Sequence, residues 1–216
     1  MSSLLPLLPQ SAPAAARPRI LDPLAGPSRK VDVSSPDVTF QLLDGRQAAP
    51  HEDELRALYA EVYAAPPYGQ ADQPGSFARR FAVQRRQPGF ALAEARHGGY
   101  LVGYAAGMPL RPATSWWQDL TTTLPGDLTQ EHPGRTFAVA DLLVRAPWRR
   151  QGIGSALHDL LLAGRPEERA TAAVLPAAAP AQHAFRSWGW RKVARTRDRF
   201  PGAPVSDVLL TTLRRD

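Results

Sequence analysis

Cysteine is absent from the 216 residues. This excludes disulfide frameworks, thiolate metal sites and cysteine nucleophiles, and with them several enzyme classes. No apolar run approaches the roughly 18 residues of a membrane span. The leading segment Ser2–Pro9 has no basic stretch before its leucines and is broken by prolines, so neither a secretory signal nor a membrane association is expected. A soluble cytoplasmic protein is the expectation. The five histidines show no metal-ligand spacing, so no metal is expected. Helix-turn-helix, zinc and aromatic RNA-binding patterns are also missing, which argues against a nucleic-acid partner. The excess of 26 basic over 20 acidic side chains, +6 overall, suits a small polyanionic ligand equally well.

What is present reads as one folded unit. Apolar residues make up 44% and charged residues 21%, ordinary values for a globular chain, and the length favours a single domain. Residues 1–36 are rich in Pro, Ala and Ser without a sustained period, and are expected to form a disordered tail ahead of a domain over 37–216.

Periodicity predicts a strand over 38–43, a helix over 52–63 with Leu55, Leu58, Tyr59 and Val62 on one face, and a second helix over 76–87. Strands over 90–96 and 100–108 flank His97-Gly98-Gly99, a hairpin turn. The stretch 109–134 is a long excursion with room for one short helix. A strand over 136–144, a helix over 152–162, a strand over 170–175, a helix over 180–188 and a closing strand over 205–213 complete the order. This alternation implies a mixed sheet covered by helices, an α/β arrangement rather than a barrel or a bundle.

The chemistry-bearing feature is Arg149-Arg150-Gln151-Gly152-Ile153-Gly154, between the apolar strand and the amphipathic helix. A helix N-terminus leaves backbone N–H groups unpaired and carries partial positive charge, and glycines let a phosphate approach them closely. Leu157 stands where a dinucleotide fingerprint needs its third glycine, and no Walker lysine is present. The turn therefore suits a pyrophosphate of another kind.

These residues resemble the GNAT superfamily of acyl-CoA-dependent N-acetyltransferases. The match runs from Asp141-Leu142-Leu143-Val144 through Arg149–Gly154, and continues in Pro180-Ala181, Phe185 and Trp188-Gly189-Trp190. The resemblance implies a mixed, mostly antiparallel central sheet flanked by helices, with acetyl-CoA as cosubstrate and no metal. It implies that the backbone of Leu142, Leu143 and Val144 pairs with the pantetheine arm. Arg149, Arg150, Gln151, Gly152, Ile153, Gly154 and Ser155 would hold the pyrophosphate. An acetyl group would pass by direct attack to a primary amine of a small-molecule acceptor, and a homodimer is compatible with the resemblance.

An amine attacks only as the neutral base, so a group must take its proton. If the strand alternates, Asp141 shares a face with Phe137, Val139 and Leu143, where desolvation makes it a candidate base. The alternative role for Asp141 is to accept backbone or loop hydrogen bonds. Phe185 occupies the position where the resemblance implies a tyrosine that protonates the leaving thiolate, and Ala178 stands at the family's asparagine position. A catalytically impaired acyl-CoA-binding module is therefore the second reading. His158 and Asp159 adjoin on a helix and are not expected to face one another. Arg79, Arg80, Arg85 and Arg86 read as a solvated helix face, with an acidic substrate or nucleic acid as the alternative, and Trp116-Trp117 as packing, with a wall of the acceptor pocket as the alternative.

Overall fold

The computed structural model describes residues 37–69, 76–197 and 205–213; the tail expected over 1–36 lies outside them. The order is β1 (Val38–Leu43), α1 (Glu52–Ala64), α2 (Ser76–Gln84), β2 (Ala91–His97), β3 (Tyr100–Pro109), α3 (Gly126–Thr129), β4 (Thr136–Val144), α4 (Ile153–Leu162), β5 (Arg169–Val174), α5 (Ala179–Ser187), β6 (Arg191–Arg197) and β7 (Val205–Thr212). Among the described residues no helix is long and apolar enough to cross a membrane.

The strands form one seven-stranded sheet ordered β1-β2-β3-β4-β5-β7-β6. Every neighbouring pair is antiparallel except β4 and β5. The β2–β3 hairpin turns on Gly98 and Gly99, with φ of 54° and 84°, values that glycine adopts without strain. Periodicity does not predict strand β6, although the resemblance implies a strand after α5. Its sequence Arg191-Lys192-Val193-Ala194-Arg195-Thr196-Arg197 carries two apolar residues, and it forms because β7 and the excursion after β3 pair with it.

Two layers cover the sheet. On one face Ile153, Leu157 and Leu161 of α4 and Phe185 of α5 bury Phe137, Val139, Ala170 and Ala172. On the other, α1 and α2 bury Leu43, Leu92, Tyr104 and Leu143, while the excursion sets Trp117 and Leu110 over Ala138 and Val208. Gly107 makes one close approach possible. A Cβ there would lie 2.5 Å from both the Ala138 carbonyl and the Phe137 ring.

The first residues of β4 and β5 are clasped by a buried carboxylate. Glu131 Oε1 accepts hydrogen bonds from Trp117 Nε1 (2.9 Å), Thr136 Oγ1 (2.8 Å) and Arg169 Nη2 (3.0 Å), and Arg169 Nε donates to Thr136 Oγ1 at 2.8 Å. Thr136 and Arg169 are also register partners, so side-chain and backbone bonds close the same end of the strand pair.

Between α4 and α5 lies a polar contact that helical spacing does not foretell. His158 stacks on Trp188 at 4.2 Å, and its Nε2 accepts the Trp190 indole N–H at 3.0 Å. An indole only donates, so the proton of the neutral ring sits on Nδ1, which donates to Asp159 Oδ1 at 2.8 Å. Side chains one residue apart meet here because Nδ1 lies close to its own backbone. Burial lowers the His158 pKa below its ordinary 6.5, with Asp159 opposing the shift.

Two predictions follow from this packing. Gly107→Ala should destabilise the protein by about 1–3 kcal/mol through overpacking, read as a lower urea midpoint. Gly126→Ala, where an added Cβ meets nothing within 4 Å, should leave that midpoint nearly unchanged. For His158, the unfolded chain binds the proton more readily than the folded one, so its stabilising contribution is complete above the unfolded value near 6.5 and declines below it. The melting temperature should fall between about pH 7.5 and about pH 5, and His158→Gln should flatten that slope.

Candidate functional site

Strand β4 carries one residue too many for its neighbour. Asp141 pairs with Ala106 and Val139 with Gly107, leaving Ala140 as a bulge. A bulge reverses the alternation of everything beyond it. Phe137 and Val139 face α4, whereas Leu143 faces α1 and α2 and Asp141 meets Arg80 of α2. The expectation that Asp141 shares a face with Phe137 and Val139 is thus corrected.

The bulge also marks where β4 and β5 separate. Their pairing runs from Thr136–Arg169 to Val139–Ala172 and stops. Beyond it β4 continues to Val144 against β3 alone, and β5 continues to Val174 against β7. The Arg145 amide donates to the Val102 carbonyl of β3 at 2.9 Å. By alternation Leu143 also turns its backbone to β3, and Leu142 and Val144 turn theirs to the open side. An extended ligand can therefore pair with Leu142 and Val144 as a strand would.

The glycine turn follows directly. Its chain makes a short 3-10 turn over Ala146–Trp148, then reaches Arg150 with φ of 64° and Gly152 with φ of 81°. Helix α4 starts at Ile153, with Gly152 as its N-cap and no side-chain cap. The Gly152 carbonyl accepts the Ala156 amide at 3.0 Å, which leaves the amides of Ile153, Gly154 and Ser155 pointing outward from the first turn. Ile153 is buried, so it can offer only that amide. A Cβ on Gly154 would sit 3.9 Å from Leu142 and 4.0 Å from Val144; the helix therefore begins over the open edge of β4. Arg149 Nε donates to the Val144 carbonyl at 2.9 Å and Gln151 Nε2 to the Pro147 carbonyl at 3.0 Å. Arg149 and Arg150 lie exposed at the mouth. Open amides, two guanidinium groups and an unpaired strand edge fit a diphosphate carrying an amide-containing arm.

On the opposite face, Asp141 is buried and its Oδ2 accepts from Arg80 Nη1 at 2.9 Å. Arg80 shares the apolar face of α2 with Phe77 and Phe81, and its guanidinium lies 5.0 Å from the Tyr59 ring centre. The expectation of a solvated arginine face fails at Arg80, whose spacing of three from Phe77 already turned it inward. Burial opposes the charge of Arg80, but Asp141 outweighs it and raises the pKa above the ordinary value.

Four tyrosines gather around this pair. Tyr59 stacks on Tyr63 at 4.2 Å, and Tyr63 meets Tyr68 at 4.7 Å. Tyr104 of β3 is fully buried, and its hydroxyl has no hydrogen-bond partner. Burial and then the Asp141 charge raise the pKa of Tyr63 and push that of Tyr104 well up, so both remain protonated. Burial raises that of Tyr68 against the pull of Arg149. Periodicity alone marks Tyr59 as a core position and gives Tyr63, Tyr68 and Tyr104 no role.

Phe185 lies in the apolar layer, edge-on to Trp188 at 5.4 Å and Trp190 at 4.9 Å. The Trp188 indole N–H donates to Ser155 Oγ at 3.3 Å, tying α5 to the first turn of α4. Ala178 is buried just ahead of α5. Among the described residues no group of three or more His, Asp or Glu side chains is arranged to hold a metal ion.

No curated protein matches the sequence. Solved structures share its fold. They include yncA from Salmonella typhimurium, solved with its cofactor acetyl-CoA, at 14% identity over 83% of this chain and 96% of that one, with a TM-score of 0.58. The ribosomal-protein-S18-alanine N-acetyltransferase of Escherichia coli is 14% identical over 83% of this chain and 96% of its own, with a TM-score of 0.54. An aminoglycoside 6'-N-acetyltransferase complexed with coenzyme A is 14% identical over 82% and 98%, with a TM-score of 0.57. The sequence itself matches the model of the acetyltransferase (GNAT) family over residues 53–190, from the start of α1 to the end of the aromatic cluster. The protein belongs to the GNAT family of acetyltransferases.

Proposed function

We propose that the protein transfers the acetyl group of acetyl-CoA to the primary amine of a small-molecule acceptor, within a single domain over 37–216. The observation that carries this reading is the separation of β4 from β5 at Ala140, which opens the sheet between the glycine turn on one side and Asp141 on the other. In this reading the backbone of Leu142 and Val144 holds the pantetheine arm, with Leu143 packing behind them. The amides of Ile153, Gly154 and Ser155 bind the diphosphate, Gly152 lets the chain turn beneath it, and Arg149 and Arg150 supply charge. Gln151 shapes the turn through its bond to Pro147.

The acceptor approaches from the face of α1 and α2. Its amine nitrogen attacks the thioester carbon as the carbon–sulfur bond breaks, and its surplus proton passes to Asp141, directly or through water. The departing thiolate takes a proton from solvent, because Phe185 has none to give; a thiol pKa of about 8.5 keeps the loss of rate modest. The reading that the chain binds acyl-CoA without turnover draws on the same Phe185. Incubation with acetyl-CoA and a panel of amines while free CoA is measured decides between them, since acetyl-CoA binding without CoA release favours the second.

Three variants test the assignments. Asp141→Asn should lower turnover by about 10²–10⁴-fold, with the dissociation constant for acetyl-CoA nearly unchanged by calorimetry. Arg150→Gly should relieve the positive φ and leave stability equal or up to about 1 kcal/mol higher, yet weaken acetyl-CoA several-fold. If protonation by solvent limits the rate, Phe185→Tyr should raise turnover several-fold; an unchanged rate would mean that solvent suffices.

A further inference from the structure

The acceptor side of the sheet holds polar groups that the transfer of an acetyl group to a simple amine leaves unused. Asp141 uses Oδ2 to accept from Arg80, and no hydrogen bond from the described residues reaches its Oδ1. Arg80 gives Nη1 to Asp141, while its Nη2 is buried without a partner. The Tyr104 hydroxyl, on a side chain 1% exposed, is also without one.

These groups are neighbours. Tyr104 stands opposite Leu143 and Ala106 opposite Asp141, so Tyr104 and Asp141 are diagonal positions on one sheet face. The charge of Asp141 acts on Tyr104, and Tyr104 acts on Arg80. A buried donor without an acceptor is costly, and two beside one carboxylate form an arrangement that the fold alone does not reward.

The set has a definite complement. A free carboxylate oxygen accepts from an amine, and the two unpartnered donors on the same face need an oxygen. The rings of Tyr59 and Tyr63, stacked, and of Tyr68, tilted against Tyr63, supply an apolar wall. Arg80 is already neutralised by Asp141, so the oxygen need not be charged. We infer that the acceptor is an amine whose adjacent carbon bears a carboxylate or carbonyl, with an apolar side chain, and that Tyr104 and Arg80 bind that oxygen. An isolated amine would satisfy Asp141 and leave both donors unpaired. This inference rests on the reading under Proposed function and narrows its acceptor.

The test compares amines that differ only at the adjacent carbon. Phenylalanine, phenylalaninamide and phenethylamine share a ring and a primary amine, as do leucine and isopentylamine without the ring. CoA release is measured for each at equal concentrations of neutral amine, with acetyl-CoA binding measured in parallel by calorimetry. The expected result is a kcat/KM at least about tenfold higher for phenylalanine or phenylalaninamide than for phenethylamine, carried mainly by KM, since a missing partner for two buried donors is penalised strongly. Preference between the acid and the amide tells whether a carboxylate or a neutral carbonyl is read. Tyr104→Phe should collapse the ratio toward one. Because it deletes an unpartnered hydroxyl, it should also leave the melting temperature unchanged or raised, an outcome that a merely structural tyrosine would not give. Equal kcat/KM with and without the adjacent oxygen would overturn the inference, as would no CoA release from any of the five while acetyl-CoA binds. Failure of acetyl-CoA to bind at all would instead overturn the reading on which it rests.

Discussion

A single surplus residue governs the architecture of this protein. Ala140 has no partner in β3, and the strand's side-chain alternation restarts one step out of phase beyond it. Without that step Asp141 would share a face with Phe137 and Val139, in the apolar layer covered by α4. With it, the same carboxylate reaches Arg80 on the opposite face, and Leu142 and Val144 side chains pack beneath the start of α4. The bulge lies where the hydrogen bonds between β4 and β5 end. One irregularity thus sets both the opening in the sheet and the side from which the carboxylate faces it.

The interior is more ionic than the composition suggests. Glu131 pairs with Arg169, Glu167 with Arg165, Glu94 with Arg96 and Asp141 with Arg80, every carboxylate being buried. Breaking such a pair by removing one partner leaves a charge stranded, which costs several kcal/mol. Most are densely bonded: Glu131 Oε1 takes three donors, and Glu94 is bonded to both Arg96 and His51. Asp141 differs from Glu94 and Glu167 in that only one of its oxygens, Oδ2, accepts a hydrogen bond, a trait shared by Glu131, whose Oε2 is buried without a partner.

Much of this fold was legible in the sequence. Strand β4 fell at its observed limits, and the hairpin, the glycine turn and the helix after it carried strong local signals in Gly98-Gly99, Gly152 and the spacing of Ile153, Leu157 and Leu161. Strand β6 was not legible from periodicity, because its stability comes from pairing with β7 rather than from its own residues. The candidate site divides in the same way. The turn follows from local pattern, whereas the open edge depends on the bulge at Ala140, and the face around Asp141 is assembled from α1, α2, β3 and β4, which meet only in three dimensions. Arg80 could have been found from its spacing to Phe77. Tyr104 could not, since a tyrosine in an apolar strand looks the same whether or not its hydroxyl has a partner. The reversal at Ala140 is not visible in the sequence, because the apolar residues around it are compatible with either face and Asp141 alone does not say which face holds its cation.

The clasp at Glu131 has a mechanical meaning beyond its contribution to stability. It fastens β4 to β5 at their first residues, where Thr136 and Arg169 are already paired, and leaves the far ends to diverge. The two strands therefore form a wedge jammed shut at its narrow end, with an angle held by covalent and hydrogen-bonded structure on both flanks. An extended molecule fitted between the wide ends would find the strands already apart, so little binding energy would go into separating them.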